Sequence, residues 1–147
     1  MTLRRFAGLG ICLAALALPG AAWAQPAVSL DSAVYVERPS ETGRSLEPVD
    51  RLARGDRVVY IVTWYKFGGQ GGFTVTNPLP RSVAYQGSAN DDEEVSVDGG
   101  KSWGRLGALR IAGRLAAPDD VTHVRWRVAA SRAASGSGRI AYSAVVR

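Results

Sequence analysis

Apolar and polar residues alternate with a period of two in several segments of this chain, and turn residues interrupt them at short intervals. The longest such segment is Arg57–Lys66. Val58, Tyr60, Val62 and Trp64 fall on one face of an extended chain there, and Val59, Ile61, Thr63 and Tyr65 on the other. Both faces are largely apolar, which predicts a central strand covered on both sides or flanked by partner contacts. Residues 121–129 alternate as clearly, with Val124, Trp126 and Val128 opposite His123, Arg125 and Arg127. In residues 139–146, Ile140, Tyr142, Ala144 and Val146 share a face. Shorter strands are predicted at 28–30, 33–37, 73–76, 82–86, 94–97 and 102–106, with 109–112 a short strand or the extension of one. The polar, proline-bracketed stretch 39–49 predicts a loop, as do the glycines of 68–72 and the small residues of 131–138. Seven to nine short strands, with no long stripe at helical spacing and no internal repeat, predict an all-β chain folded as an antiparallel β-sandwich.

The first 24 residues do not belong to that pattern. Arg4 and Arg5 precede an uncharged apolar run over 6–18, and Ala22-Trp23-Ala24 is a small-x-small cleavage site. These features predict a secretory signal peptide, with Gln25 as the mature N-terminus. The apolar run spans about 13 residues, short of the roughly 20 a membrane helix needs, so no span is expected after cleavage. A single domain over 25–147 remains, without cysteine, because Cys12 is the only one. Such a domain is held by packing alone and has no thiolate metal site. Removing Arg4 and Arg5 leaves 16 basic against 13 acidic residues, a net charge of +3. That permits contact with anionic polymers of a cell envelope but does not argue for nucleic-acid binding. The alanine- and arginine-rich usage suggests a bacterial protein, located in the periplasm, outside the cell or at its surface.

One run has a specific look. Gly55-Asp56 leads into Val58–Val62 around Tyr60; Pro78-Leu79-Pro80 follows, and then Tyr85 with Gly87-Ser88. This order resembles the bacterial repeat known as domain of unknown function 11. Trp126, the 136–138 turn and the final strand are similar to its end. The resemblance covers about residues 52–146. It implies an immunoglobulin-like sandwich of an exported or surface protein, with no enzymatic role. The family usually has an asparagine soon after its tyrosine strand. Here Trp64, Tyr65, Lys66 and Phe67 stand instead, and they are the candidate binding surface.

Other constellations carry less chemistry. Ser96-Val97-Asp98-Gly99-Gly100-Lys101-Ser102-Trp103 fits the Asp-box pattern, in which the carboxylate accepts backbone N–H bonds across a turn and the tryptophan packs over it. A single copy in a short chain predicts a structural hairpin rather than a sialidase-like propeller. Asp91-Asp92-Glu93-Glu94 supplies oxygen ligands for Ca²⁺, joined by Asp119-Asp120 if the loops meet, but lacks alternating Asp-x-Asp spacing. A solvated acidic loop is the simpler reading, so no metal or other cofactor is assigned. His123 has no second histidine or cysteine to share a metal and no identified nucleophile to serve. Arg54-Gly55-Asp56 is explained by a turn. Arg125, Arg127 and Arg139 form a basic stripe only if the last strands pair. The expected function is a non-catalytic structural or interaction module of the bacterial envelope, with a protein or polysaccharide partner. The alternative is a carbohydrate-binding module using exposed Trp64, Tyr65, Trp103 and Trp126.

Overall fold

The computed structural model describes residues 27–90 and 92–147; the expected signal peptide lies outside them. Among the described residues, ten strands form in the order β1 (Val28–Ser40), β2 (Gly43–Pro48), β3 (Arg57–Lys66), β4 (Phe73–Pro78), β5 (Val83–Ser88), β6 (Glu93–Ser96), β7 (Arg110–Ile111), β8 (Arg114–Leu115), β9 (His123–Val128) and β10 (Ser137–Val146), with a single-turn helix α1 (Ala130–Ala133) before the last. The fold is all-β, as expected. A five-stranded sheet runs β2-β1-β3-β10-β5, a three-stranded sheet runs β4-β9-β6, and β7 and β8 make a small ribbon. Every strand pairing is antiparallel. No helix among the described residues is long and apolar enough to cross a membrane.

The two larger sheets stack into a sandwich because each has one apolar face. Val58, Val62 and Trp64 of β3, Tyr85 of β5 and Ile140, Tyr142 and Ala144 of β10 meet Val75 of β4, Val95 of β6 and Val124, Trp126 and Val128 of β9 in one core. Tyr142 ties the layers together. Its ring stacks on Tyr60 at 4.7 Å, tilts against Trp126 at 5.5 Å, and its hydroxyl accepts a 2.5 Å hydrogen bond from Asn77 Nδ2 of β4. Aromatic pairs of this kind add about 0.5–1.5 kcal/mol each beyond the area they bury.

Three elements differ from expectation. The breaks predicted around Asp31-Ser32 and at 39–49 are absent: β1 runs unbroken for 13 residues and folds back on β2. Backbone pairing of Asp31 with Thr63 and Ser32 with Val62 continues regardless of side-chain polarity. The β1–β2 hairpin is a sheet edge with mostly exposed side chains, and edges tolerate proline. The strand expected at 102–106 is reduced to one bridge, Val95 with Gly104. The loop expected at 131–138 holds part of α1, and β10 begins at Ser137.

Candidate functional site

The Asp-box segment folds as its residue types require. Gly99 and Gly100 take φ values of 78° and 88°, which side chains with a Cβ rarely adopt. That bend brings Asp98 onto the segment that follows it. Its Oδ1 accepts from Ser96 Oγ (2.8 Å), Lys101 N (3.0 Å) and Ser102 N (2.9 Å), and its Oδ2 accepts from Ser102 Oγ (2.6 Å). Ser102 above all, with Ser96 and the Lys101 N–H, holds the Asp98 carboxyl far below the usual carboxylate range. Trp103 Nε1 donates to Gly100 O at 2.9 Å, and Gly99 N donates to Thr122 Oγ1 at 3.0 Å. The carboxylate oxygens are thus occupied by the turn itself. His123 contacts Thr122 Oγ1 through Nδ1 at 3.1 Å and the edge of Trp103 at 6.3 Å.

Beside this turn lies the outer face of β9. The Arg125 guanidinium sits 4.4 Å from the Trp103 ring centroid, and its Nε donates to Glu94 Oε2 at 2.8 Å. Arg127 reaches the same oxygen at 3.2 Å. Arg125, then Arg127, holds Glu94 below the usual carboxylate range. Arg139 does not join them, because β10 belongs to the other sheet. The basic stripe conceived for Arg125, Arg127 and Arg139 therefore does not form.

Among the described residues the acidic block does not converge on a metal site either. Asp91 lies outside the described residues. Glu93 and Glu94 are successive residues of β6, so they point to opposite faces; Glu93 accepts from Tyr85 Oη at 3.2 Å. Asp120 is taken by Arg114, with bonds of 2.7 and 2.8 Å, and by Ala117 N–H; these lower its pKa to about 2. Asp56 of the Arg-Gly-Asp tripeptide accepts from Ala53 N (2.8 Å) and Arg38 Nη1 (2.7 Å), which makes it a turn residue.

The candidate surface 64–67 is divided. Trp64 is 0 % exposed, so it offers nothing to a ligand and is corrected to a core residue. Strand alternation turns it inward, against Phe73 at 5.2 Å and over Gly138. Lys66 is half-buried and donates to Gly69 O. Tyr65 and Phe67 are 43 % and 73 % exposed. Of the aromatics proposed for sugar stacking, Trp126 is also fully buried and Trp103 carries Arg125 on its ring, which leaves Tyr65. A cleft of ≈ 640 Å³ that the sequence did not announce opens between Arg81, His123 and Arg147 over Leu79 and Val121. Arg147 is committed there to Val83 O by two bonds of 3.0 and 2.8 Å.

No family model, curated protein or solved structure matches the chain. Its geometry therefore carries the functional reading.

One consequence of these carboxylates is measurable. Asp98, Asp120, Asp56 and Glu94 all ionise at lower pH in the folded chain than their ordinary values. Their stabilisation is complete above the unfolded values near ~4 and is lost as pH falls through the folded ones. The thermal midpoint is expected to stay level from neutral pH down to about 5 and to drop steeply between about 4 and 2. A midpoint unchanged at the acid end would contradict this assignment.

Proposed function

We propose that this chain is an exported, non-catalytic β-sandwich that serves as an interaction module in the bacterial cell envelope, holding its partner through Tyr65 and Phe67. The reading includes kinship with domain of unknown function 11, supported by the order of Gly55-Asp56, Tyr60, residues 78–80, and Tyr85 with Gly87-Ser88. Its main support is the exposure of two aromatic side chains from a backbone that is held in place. Lys66 N donates to Gly136 O at 2.8 Å and Phe67 N to Ala27 O at 2.9 Å, so the aromatic end of β3 is pinned on both sides. Rigid, exposed aromatic anchors are what binding hot spots are made of.

The test is a photo-crosslinking residue placed at position 67 in cells producing the full chain. A discrete envelope adduct is expected, and Phe67→Ala should weaken its capture about 30-fold, the loss of a ~2 kcal/mol hot spot. Absence of any adduct from protein recovered in the envelope fraction would defeat the reading. A polysaccharide partner is the second reading, favoured by Tyr65, the one exposed ring among the stacking candidates. It requires glycan-array binding that disappears with Tyr65→Ala.

A further inference from the structure

The outer face of the five-stranded sheet is unlike the solvent face of an ordinary sandwich. Register places its side chains in cross-strand rows. Ala33, Ile61 and Ala141 make the central row; Tyr35, Val59 and Ser143 lie on one side of it, and Asp31, Thr63 and Arg139 on the other. The middle is therefore apolar, with small alanines beside Ile61. Asp31 and Arg139 are both exposed, and neither side chain makes a hydrogen bond or ion pair among the described residues. They stand two strands apart across β3, about 9.6 Å by ordinary strand spacing, too far to pair with each other.

We propose that this face binds a second copy of the chain. A two-fold axis lying between the copies and parallel to β3 exchanges left and right. It sets Asp31 of one copy over Arg139 of the other, and Arg139 over Asp31, while the Ala33–Ile61–Ala141 rows meet at the centre. The contact is isologous and closes as a dimer. A two-fold axis across the strands through the same central row would set Asp31 over Tyr35 and Arg139 over Ser143 and leave both charges unpaired. In the first arrangement only Arg57, already paired with Glu37, meets its own copy; the charges therefore favour the first orientation. The alanines allow the sheets to approach to the ~10 Å of aligned packing. The 45 strand residues of the sheet, each covering about 3.3 by 4.8 Å, give a face of about 700 Å², close to the ~800 Å² that each partner of a stable complex buries. The arrangement also sets the two Tyr65 side chains, on this same face of β3, against each other at one end of the contact, so in the dimer Phe67 is the anchor left for another partner.

Sedimentation equilibrium of the protein purified after expression of the full chain tests this across the micromolar range. A dimer is expected for the wild type. Asp31→Arg should weaken it about tenfold or more by opposing like charges, and Asp31→Arg with Arg139→Asp should restore it. Ile61→Lys should give monomers, and an unchanged far-ultraviolet circular dichroism spectrum would show that they remain folded. A wild type that stays monomeric, or a charge exchange that fails to restore the dimer, would overturn the proposal. The outcome is independent of crosslinking at position 67.

Discussion

Gly138→Ala is expected to destabilise the domain by about 3 kcal/mol, the upper end of what overpacking a core costs. A Cβ at this position would lie 2.4 Å from Trp64 Cζ2, 2.7 Å from Cε2 and 2.9 Å from Nε1. Real Cβ atoms do not approach ring atoms so closely, so either the ring or the strand must move. The ring cannot move freely, because Trp64 is fully buried and its own strand is paired on both sides by β1 and β10. Gly138 does not have a positive φ, so the cost is steric and not a matter of backbone strain. Urea denaturation measures it. Gly107→Ala is the control, because nothing lies within 4 Å of the added carbon; it should change stability by less than about 0.5 kcal/mol. Adding Trp64→Leu to Gly138→Ala should recover part of the loss, since the two side chains compete for one space. A Gly138→Ala variant as stable as the wild type would mean that the Trp64 ring is not packed over β10.

Trp126→Ala is the second large effect, expected at about 3–5 kcal/mol. Trp126 is fully buried on the central strand of the smaller sheet and leans on Tyr142 across the layers. A more discriminating measurement compares the two tryptophans on replacement by phenylalanine. Trp126 Nε1 donates to Ser88 Oγ at 3.2 Å, whereas Trp64 Nε1 is buried with no partner among the described residues. Trp126→Phe loses a hydrogen bond along with packing. Trp64→Phe loses packing but removes an unpaired buried donor, a group that costs roughly 1–3 kcal/mol where it stands. Trp64→Phe should therefore be the milder change by about 1–2 kcal/mol in chemical denaturation. Equal losses would imply that the Trp64 nitrogen is satisfied in solution.

The contrast also explains what could be read from the sequence. Strands β3, β9 and β10 announced themselves because their inner faces carry Val, Ile, Trp and Tyr at every second position, and burial of one face is what produces that signal. β1 is legible only as the two pieces 28–30 and 33–37, and β2 gives no such signal. Its residues are mostly exposed at a sheet edge, where backbone pairing alone sustains the strand. The Asp-box turn was legible in its residue types, but the strand expected after it was not realised. Lys101 N and Ser102 N donate to Asp98, which draws the chain into the turn. Trp64 stands among the candidate surface residues because 64–67 departs from the asparagine of the resembled family, and with both faces of β3 apolar, alternation does not say which face a second layer will cover. The separation of Arg139 from Arg125 and Arg127 depended on sheet order, which pairwise patterns do not encode.

Sheet order has a consequence in time. β10 lies in the middle of the five-stranded sheet, between β3 and β5, although it is the last strand along the described chain. Until residues 137–146 are available, β3 and β5 have no neighbour on their facing edges and Tyr142 cannot join the layers. A chain whose residues 137–146 have not yet left the ribosome cannot close this sheet, and pairings over so long a sequence separation are slow to form. That delay leaves open strand edges, which a chaperone can cover until β10 arrives.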